Sequence, residues 1–398
     1  MRIVKLGDHI KQVRGVSYQS GDAIESPKEG YIPILRSNNI EEGAINIEGL
    51  IYVPEDLVKD HQKLKAGDLL LTASTGSKKV IGKNGASPKN LDASFGAFCK
   101  VIRAKETIDR VYLKHFLQTP YYRRTIQDVV NGANINNIKT EHINDLKIPL
   151  PPLATQKKIA TILDVADAHR QKTRKLLNKY DELAQSIFLE MFGDPVTNPK
   201  GWEVKRLGEV CEKITDGTHH SPESKTEGAP YVTAKHVKPF KLNFLSKPTY
   251  ISWQDHQEIY KRCSPKKGDV LYIKDGATTG IACINTFEEE ISLLSSLALI
   301  QTNRHLLNPD FLCFWLNYES MKARLLSIWM SGAAIQRYTL KKIKSFEIMI
   351  PPIEMQERFS LIINENEKSK LLINKEIKES ENLFNSLLQK AFKGEMLK

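Results

Sequence analysis

The sequence predicts an α+β protein: two globular α+β domains joined by a long antiparallel two-helix coiled coil, with an internal pseudo-twofold repeat. Three observations carry this. The 398-residue chain matches itself at an offset of about 200 residues. Within each copy, short β-prone runs broken by Gly, Asn and Pro are mixed with limited helical patterning, without the β-α alternation of a doubly wound sheet. After each copy comes a stretch of about 40 residues with no Gly or Pro.

The repeat is clearest at its end. Ile148-Pro149-Leu150-Pro151-Pro152-Leu153 matches Ile348-Met349-Ile350-Pro351-Pro352-Ile353, Gln156 matches Gln356, and Gly132-Ala133 matches Gly332-Ala333. Further back the offset drifts by a few residues, as loops make it drift. Gly67-Asp68-Leu69-Leu70 matches Gly268-Asp269-Val270-Leu271, Lys5-Leu6-Gly7-Asp8 matches Arg206-Leu207-Gly208-Glu209, and Pro33-Ile34-Leu35 matches Pro230-Tyr231-Val232. Domains follow at 1–150, 151–193, 194–350 and 351–398. In the first copy, strands are expected at 31–35, 69–72 and 97–103, and helix over 111–130.

Pro151-Pro152 ends a strand and opens a helix. That helix runs to Phe192 and stops at Gly193-Asp194-Pro195. The second runs from Pro352 to about Phe392, before Gly394. Ile159, Ile162, Ala166, Leu176, Tyr180, Leu183, Ile187 and Met191 recur at the three-and-four spacing of a coiled-coil seam. Phe359, Ile362, Ile373, Ile377, Phe384, Leu387 and Ala391 do the same in the second helix. His169, Thr173, Asn366 and Ser369 are polar seam positions: devices that fix register, or simply exposed sites. Leu361, Ile363, Leu371, Leu372, Leu383 and Leu388 fall outside a two-helix seam and are expected on an open face. A helix of this length makes a rod of roughly 55–60 Å. Antiparallel pairing would place one head at each end.

Composition narrows the function. Apolar residues make up 41% of the chain, the proportion of a globular protein. No apolar run approaches the ~20 residues of a membrane helix. No signal-peptide core opens the sequence, and the five scattered cysteines form no CxxC pair, so a cytoplasmic protein with reduced thiols is expected. The net charge is +11. Residues 1–152 carry +5, 153–192 carry +2, 193–352 carry +4, and the remainder is neutral. The excess sits on the two heads, which points to a polyanionic partner; a basic surface with no specific ligand is the alternative.

Searches for catalysis fail. The run from Gly76 to Asn84 is one residue too long for a phosphate-binding P-loop and ends in Asn rather than Ser or Thr. No GxGxxG opens a helix. Leu150 and Ile350 precede the Pro-Pro pairs where an amino-methyltransferase carries an acidic residue. Asp216 with Glu223-Ser224-Lys225 only weakly resembles a nuclease set. His219-His220 are adjacent and point apart on an extended backbone, which suits a loop contact better than a metal. The chain reads as a binder without catalysis, metal or cofactor of its own.

Three pairs of loops suit nucleic acid. Arg36-Ser37-Asn38-Asn39 follows the strand at 31–35; Lys235 and His236 occupy the same place in the second copy. Ser74, Thr75, Ser77, Lys78 and Lys79 follow 69–72; Lys274, Thr278 and Thr279 are their counterparts. Asn134, Asn136 and Asn137 pair with Gln336 and Arg337. Asn and Gln suit adenine, Arg and Lys suit guanine, and hydroxyls and Gly amides suit phosphate. Taken singly, each Asn or Ser is also an ordinary turn residue. The loop positions correspond while the residues differ, as in two related readers of different sequences.

With these motifs in place, the chain resembles the specificity subunits of type I restriction–modification systems, over its whole length. The resemblance rests on the duplicated Ile-Pro-x-Pro-Pro-Leu-x-x-x-Gln at 148–156 and, less perfectly, 348–356. It rests also on Asp216-Gly217-Thr218-His219-His220-Ser221-Pro222 ahead of Gly228-Ala229-Pro230-Tyr231-Val232, and on Gly276-Ala277-Thr278-Thr279-Gly280. Thr155 and Met355 stand where family members carry Glu, and the first copy has Gly15-Val16-Ser17-Tyr18 in place of the Gly-Thr-His-His form. The resemblance implies that the heads are target recognition domains, each reading half of a bipartite, asymmetric site in double-stranded DNA, with Thr218, His219 and His220 joining the contact set. It implies that the helices are spacers that dock two adenine-N6 methyltransferase (modification) subunits, to which two restriction subunits add. S-adenosylmethionine, ATP and Mg²⁺ would belong to those partners, and the target adenine would be flipped into the methyltransferase. The specificity chain of a methylation-only or other phage-defence complex, and a structural scaffold with protein-binding heads, are the alternatives.

Overall fold

The computed structural model describes residues 2–41, 43–130, 136–330 and 337–396. They form two compact units, one comprising residues up to 175 and from 374 onward, the other residues 176–373. Each unit holds one globular portion and half of each long helix. Mixed helix and sheet in both confirms the α+β expectation.

In the first unit, a sheet runs in the order Ile10–Arg14, Cys99–Ala104, Leu69–Thr72, Asn84–Ala86, Gly43–Ala44. Its inner strand, Leu69–Thr72, is buried at every position, which explains its unbroken apolar run. A second sheet joins Ile51–Pro54, Tyr31–Leu35 and Ser94–Phe95, with Ile34 and Leu35 paired parallel to Ser94 and Phe95. The second unit repeats both. Cys211–Asp216, Leu297–Thr302, Val270–Ile273 and Ala282–Ile284 form the first sheet; Tyr250–Ile251, Ala229–Val232 and Ser292–Leu293 form the second. Tyr231 and Val232 again pair parallel, with Ser292 and Leu293. The helical stretch expected over 111–130 is two helices, Arg110–Phe116 and Pro120–Val129. Leu117 caps the end of the first, and Thr119 caps the start of the second, its hydroxyl accepting from the Tyr122 N–H, with Pro120 at the first helical position.

The duplicated Pro-Pro-x-x-x-Gln motif has a physical role. Ile3–Lys5 pairs antiparallel with Lys147–Pro149, and Glu203–Arg206 with Glu347–Ile350, so each module closes on the strand that feeds its long helix. One turn into that helix, Gln156 is fully buried. Its Oε1 accepts from the Asp109 N–H at 2.8 Å, and its Nε2 donates to the Pro151 carbonyl at 2.9 Å. Gln356 does the same with the Asn308 N–H (2.9 Å) and the Pro351 carbonyl (2.8 Å), and also reaches the Leu306 carbonyl at 3.0 Å. Asp109 and Asn308 are themselves helix caps. One amide thus ties the start of the long helix to the start of a head helix.

The long helices run Leu153–Phe192 and Ile353–Lys393. They pack antiparallel. In the first unit Ile159 and Leu163 share a core with Phe384, Leu388 and Ala391. In the second, Phe188 stacks on Phe314 at 5.0 Å and meets Phe359 edge-on at 5.6 Å. The second helix keeps the register expected from its sequence. The first differs at every other position. Ile159, Ala166, Thr173, Tyr180 and Ile187 face inward, but Leu163, Arg170, Leu177 and Ala184 replace Ile162, His169, Leu176 and Leu183, which lie on the exposed side.

A charged side chain, Arg170, takes the inward place expected of His169. Arg170 is buried, paired with Asp167 at 2.7 Å and Glu381 at 3.4 Å, with its guanidinium 4.4 Å above the Phe384 ring. The second unit repeats the device with Lys370, which bridges Glu367 and Asp181, each at 2.7 Å. Thr173 turns back onto the His169 carbonyl, and Asn366 Nδ2 donates across the seam to the Tyr180 carbonyl at 3.0 Å. Of the six apolar residues expected on the open face, Leu361, Leu371, Leu372 and Leu383 are exposed, whereas Leu388 is buried and Ile363 is partly buried.

Replacing Gln156 or Gln356 with Ala strands a buried N–H and a buried carbonyl. Each substitution should cost about 1–3 kcal/mol, read as a lower midpoint in urea unfolding. A loss no larger than that of an exposed Gln→Ala control would show that these amides are not structural.

Candidate nucleic-acid interface

In each unit one turn gathers the loops that sequence singled out. In the first, the 95–98 turn bonds the backbone of three neighbours. Val16 N–H donates to Phe95 O at 2.8 Å, Gly96 N–H to Leu35 O at 2.9 Å, and the Ala73 and Ser74 N–H groups to Phe98 O at 2.9 and 3.0 Å. Ile138 N–H then reaches Ala73 O, while Ser74 and Thr75 pair with Asn137 and Asn136. In the second, the 293–297 turn takes Thr218 N–H on Leu293 O (2.8 Å), gives Leu294 N–H to Val232 O (3.0 Å), and takes Lys274 N–H on Ser296 O (2.9 Å). Asp275 bridges to Arg337, and Tyr338 N–H reaches Lys274 O. Gly15 and Gly217 are required by this crowding. A Cβ on Gly15 would lie 2.1 Å from Gly96 O, and one on Gly217 2.0 Å from Leu293 O.

The side chains divide. Asn38, Ser77, Lys78, Lys79, Asn137, His219, His220, Lys235, Thr278 and Arg337 are exposed; Arg36, Ser74, Thr75 and Thr218 are half-buried. Asn134 and Gln336 lie outside the described residues, as does the Asn136 side chain. Four candidates are instead committed inward. Asn39 Oδ1 accepts from the Arg36 N–H and its Nδ2 donates to Glu48 O at 2.7 Å. Lys274 is buried beside Asp216 at 3.3 Å. Thr279 donates to Gly276 O at 2.6 Å. His236 accepts from the Thr233 N–H on Nδ1 and therefore donates from Nε2 to Lys247 O. These four hold loops in shape, which is the ordinary role of polar turn residues.

Electrostatics set the second unit apart. Buried Asp216 collects Arg262 (2.8 Å), Lys274 (3.3 Å) and His219 (3.4 Å). In the first unit Arg14 ends the equivalent strand and is exposed. Lys100, opposite Arg14, donates to Ile138 O, and burial, with the Arg14 charge adding to it, holds its pKa below the ordinary value. Burial pushes the thiols of Cys99, Cys211 and Cys263 up to about 12, far from a nucleophile's range. Among the described residues no group of three His, Cys, Asp or Glu could hold a metal, and no helix is long and apolar enough to cross a membrane.

Sequence reasoning missed Phe98. It is 72% exposed at the head of the gathering turn, and Ser296 takes its place in the second unit. An exposed Phe beside a basic loop is a stacking or wedging side chain in nucleic-acid binders. A lone Phe between Ala97 and Cys99 reads as part of a strand, so its exposure was not legible.

Each unit thus carries a loop cluster gathered on one turn together with its part of the duplicated helices. The model of the type I restriction modification DNA specificity domain matches residues 2–179 and again 199–381. The chain belongs to that family and is a specificity subunit of a type I restriction–modification system. It is 27% identical over 410 residues to the type I restriction enzyme EcoKI specificity subunit of Escherichia coli K12, covering 96% of this chain and 86% of the relative. It is 28% identical over 364 residues to the putative MjaX specificity subunit of Methanocaldococcus jannaschii, covering 83% and 79%. The type I restriction–modification S subunit from M. genitalium shares the fold at a TM-score of 0.58 with 15% identity, over 98% of this chain and 96% of that one.

His236 generates a pH prediction. Burial, the largest influence, lowers its pKa from the ordinary 6.5. The folded state then binds fewer protons than the unfolded state, so its contribution is full above about pH 6.5 and is lost as pH falls below that value. Wild type should lose more stability than His236→Gln between pH 7.5 and 5.5 in denaturant titrations; equal losses would refute the assignment.

Proposed function

We propose that each loop cluster reads one half of a bipartite, asymmetric site in double-stranded DNA, and that the chain performs no catalysis itself. The observation that carries this is the repeated gathering of equivalent loops around one turn, with different exposed residues in the two units. In the first unit Asn38, Asn137, Arg36 and the 74–79 loop supply donors and acceptors, with Phe98 beside them. In the second, Thr218, His219, His220, Lys235, Thr278 and Arg337 do so. Amides and guanidiniums suit base edges in the major groove; hydroxyls and lysines suit phosphate. Membership of the specificity family supports a DNA ligand and partner subunits of the same system.

The paired helices set the spacing between half-sites and dock two adenine-N6 methyltransferase subunits, to which two restriction subunits add. S-adenosylmethionine, ATP and Mg²⁺ would be held by those partners in the cytoplasm. Leu371 and Leu372, each about two-thirds exposed on the second helix, are the apolar surface a docking partner would cover.

Methylation sequencing of a host carrying the system tests the reading. Asn38→Ala should relax only one half-site and Lys235→Ala only the other, each lost base contact costing roughly 1–3 kcal/mol. Equal weakening of both halves would sink modular reading, and no methylation motif at all would favour a protein-binding scaffold.

Docking is tested separately. Leu371→Glu with Leu372→Glu should abolish co-purification with the methyltransferase subunit while leaving the circular dichroism spectrum unchanged. Retained co-purification would place the docking surface elsewhere.

A further inference from the structure

In the first unit a cleft of about 400 Å³ opens between the head and the helical stem. Among the described residues, Lys79, Lys83, Arg123, Arg170 and Arg174 line it, against one acidic residue, Glu381. That carboxylate is already shared, 2.6 Å from Arg174 and 3.4 Å from Arg170. Arg123 is fixed in place by the Ile81 and Lys79 carbonyls, at 2.8 and 2.9 Å. The ammonium groups of Lys79 and Lys83 have no partner among the described residues. On the lining, Gln118 Nε2, a donor, is buried without a hydrogen-bond partner among the described residues. Buried polar atoms are rarely left so in a finished site.

The charge is not imposed by the fold. Thr72 N–H donates to Lys83 O as Ile273 N–H donates to Ile281 O, so Ile281 occupies the place of Lys83 in the second unit. By the helix repeat, Asn374 corresponds to Arg174 and Lys370 to Arg170. Two of the cations are therefore particular to the first copy. Like charges crowded in a cleft repel one another, and an anion relieves this. The volume suits a small ligand. Lys79 also ends the 74–79 loop of the proposed DNA-reading cluster.

We propose that this cleft is a phosphate-binding site, with Lys83 and Lys79 as its principal cations and Arg123 and Arg174 as the walls that shape it. The phosphate comes from one of two sources: a backbone phosphodiester of the bound DNA, which rests on the DNA-reading function above, or a free phosphate or nucleotide, which does not.

The test uses the full chain assembled with its methyltransferase subunit, as wild type, Lys83→Gln and Lys83→Glu, with circular dichroism as the folding control. Binding to a duplex carrying the mapped site and to a scrambled duplex is measured against salt. Inorganic phosphate is titrated in parallel by ³¹P line broadening. If the source is DNA, both variants weaken target and scrambled duplexes by the same factor, and Lys83→Gln reduces the slope of log K against log salt by about 0.9. If the source is a free phosphate, wild type saturates with phosphate, both variants lose that saturation, and the salt slope is unchanged. The proposal is overturned if both folded variants match wild type in both measurements. Failure of wild type to prefer its target over the scrambled duplex would overturn the DNA-reading function instead, leaving the phosphate titration to decide the cleft.

Discussion

The buried glutamine at the start of each long helix is the constraint on which the rest of the structure depends. The first N–H groups of a head helix have no intrahelical partner, and the proline carbonyl just ahead of each long helix needs a donor of its own. Gln156 and Gln356 satisfy one of each with a single amide. The bond fixes where along the head the stem begins, and hence which face of the stem meets the head core. Tyr112 and Phe116 then pack with Ile159, and Phe311 with Phe192 and Phe359, because these starting points are pinned.

The stem is stabilised differently along its length. Where it adjoins the heads, aromatic and aliphatic side chains fill the seam. Further along, Arg170 with Asp167 and Glu381 in one unit, and Lys370 with Glu367 and Asp181 in the other, replace apolar contact by ion pairs. A buried ion pair adds little net stability relative to apolar packing, but mismatching it is costly, so such groups enforce register. The same triads on both sides, with Lys for Arg, indicate one ancestral device copied with the module.

The repeat, the α+β class and both long helices were legible because each rests on a signal spread over many residues: colinear motifs, short β runs, and the absence of Gly and Pro. The second helix's seam was legible because Phe359, Ile373, Phe384 and Ala391 keep the three-and-four spacing and lie inside, while Leu361, Leu371, Leu372 and Leu383 fall off that spacing and are exposed. The first helix's was legible only at alternate positions. Ile162, Leu176 and Leu183 outweigh Arg170 and Ala184 in any count of hydrophobicity, and only the partner charges at Asp167 and Glu381 explain why the arginine lies inside. At the loops, position was legible and orientation was not. Asn38 and Asn39 are identical neighbours, yet one faces solvent and the other caps its own turn. Lys274 looks like a phosphate contact until Asp216, far off in sequence, is seen beside it.

The turns at 95–98 and 293–297 hold their neighbouring loops through main-chain bonds, and the inward side chains of Asn39, His236, Lys274 and Thr279 shape those loops, so outward side chains such as Asn38 and Thr278 carry little structural duty. Conformation and chemistry are thereby decoupled. Exchanging Asn38, Lys235 or Thr278 for another polar residue leaves the supporting amides and carbonyls untouched, so the exchange meets little resistance from folding. A surface built this way is free to drift under selection: the text it displays can be rewritten while the page that carries it stays the same.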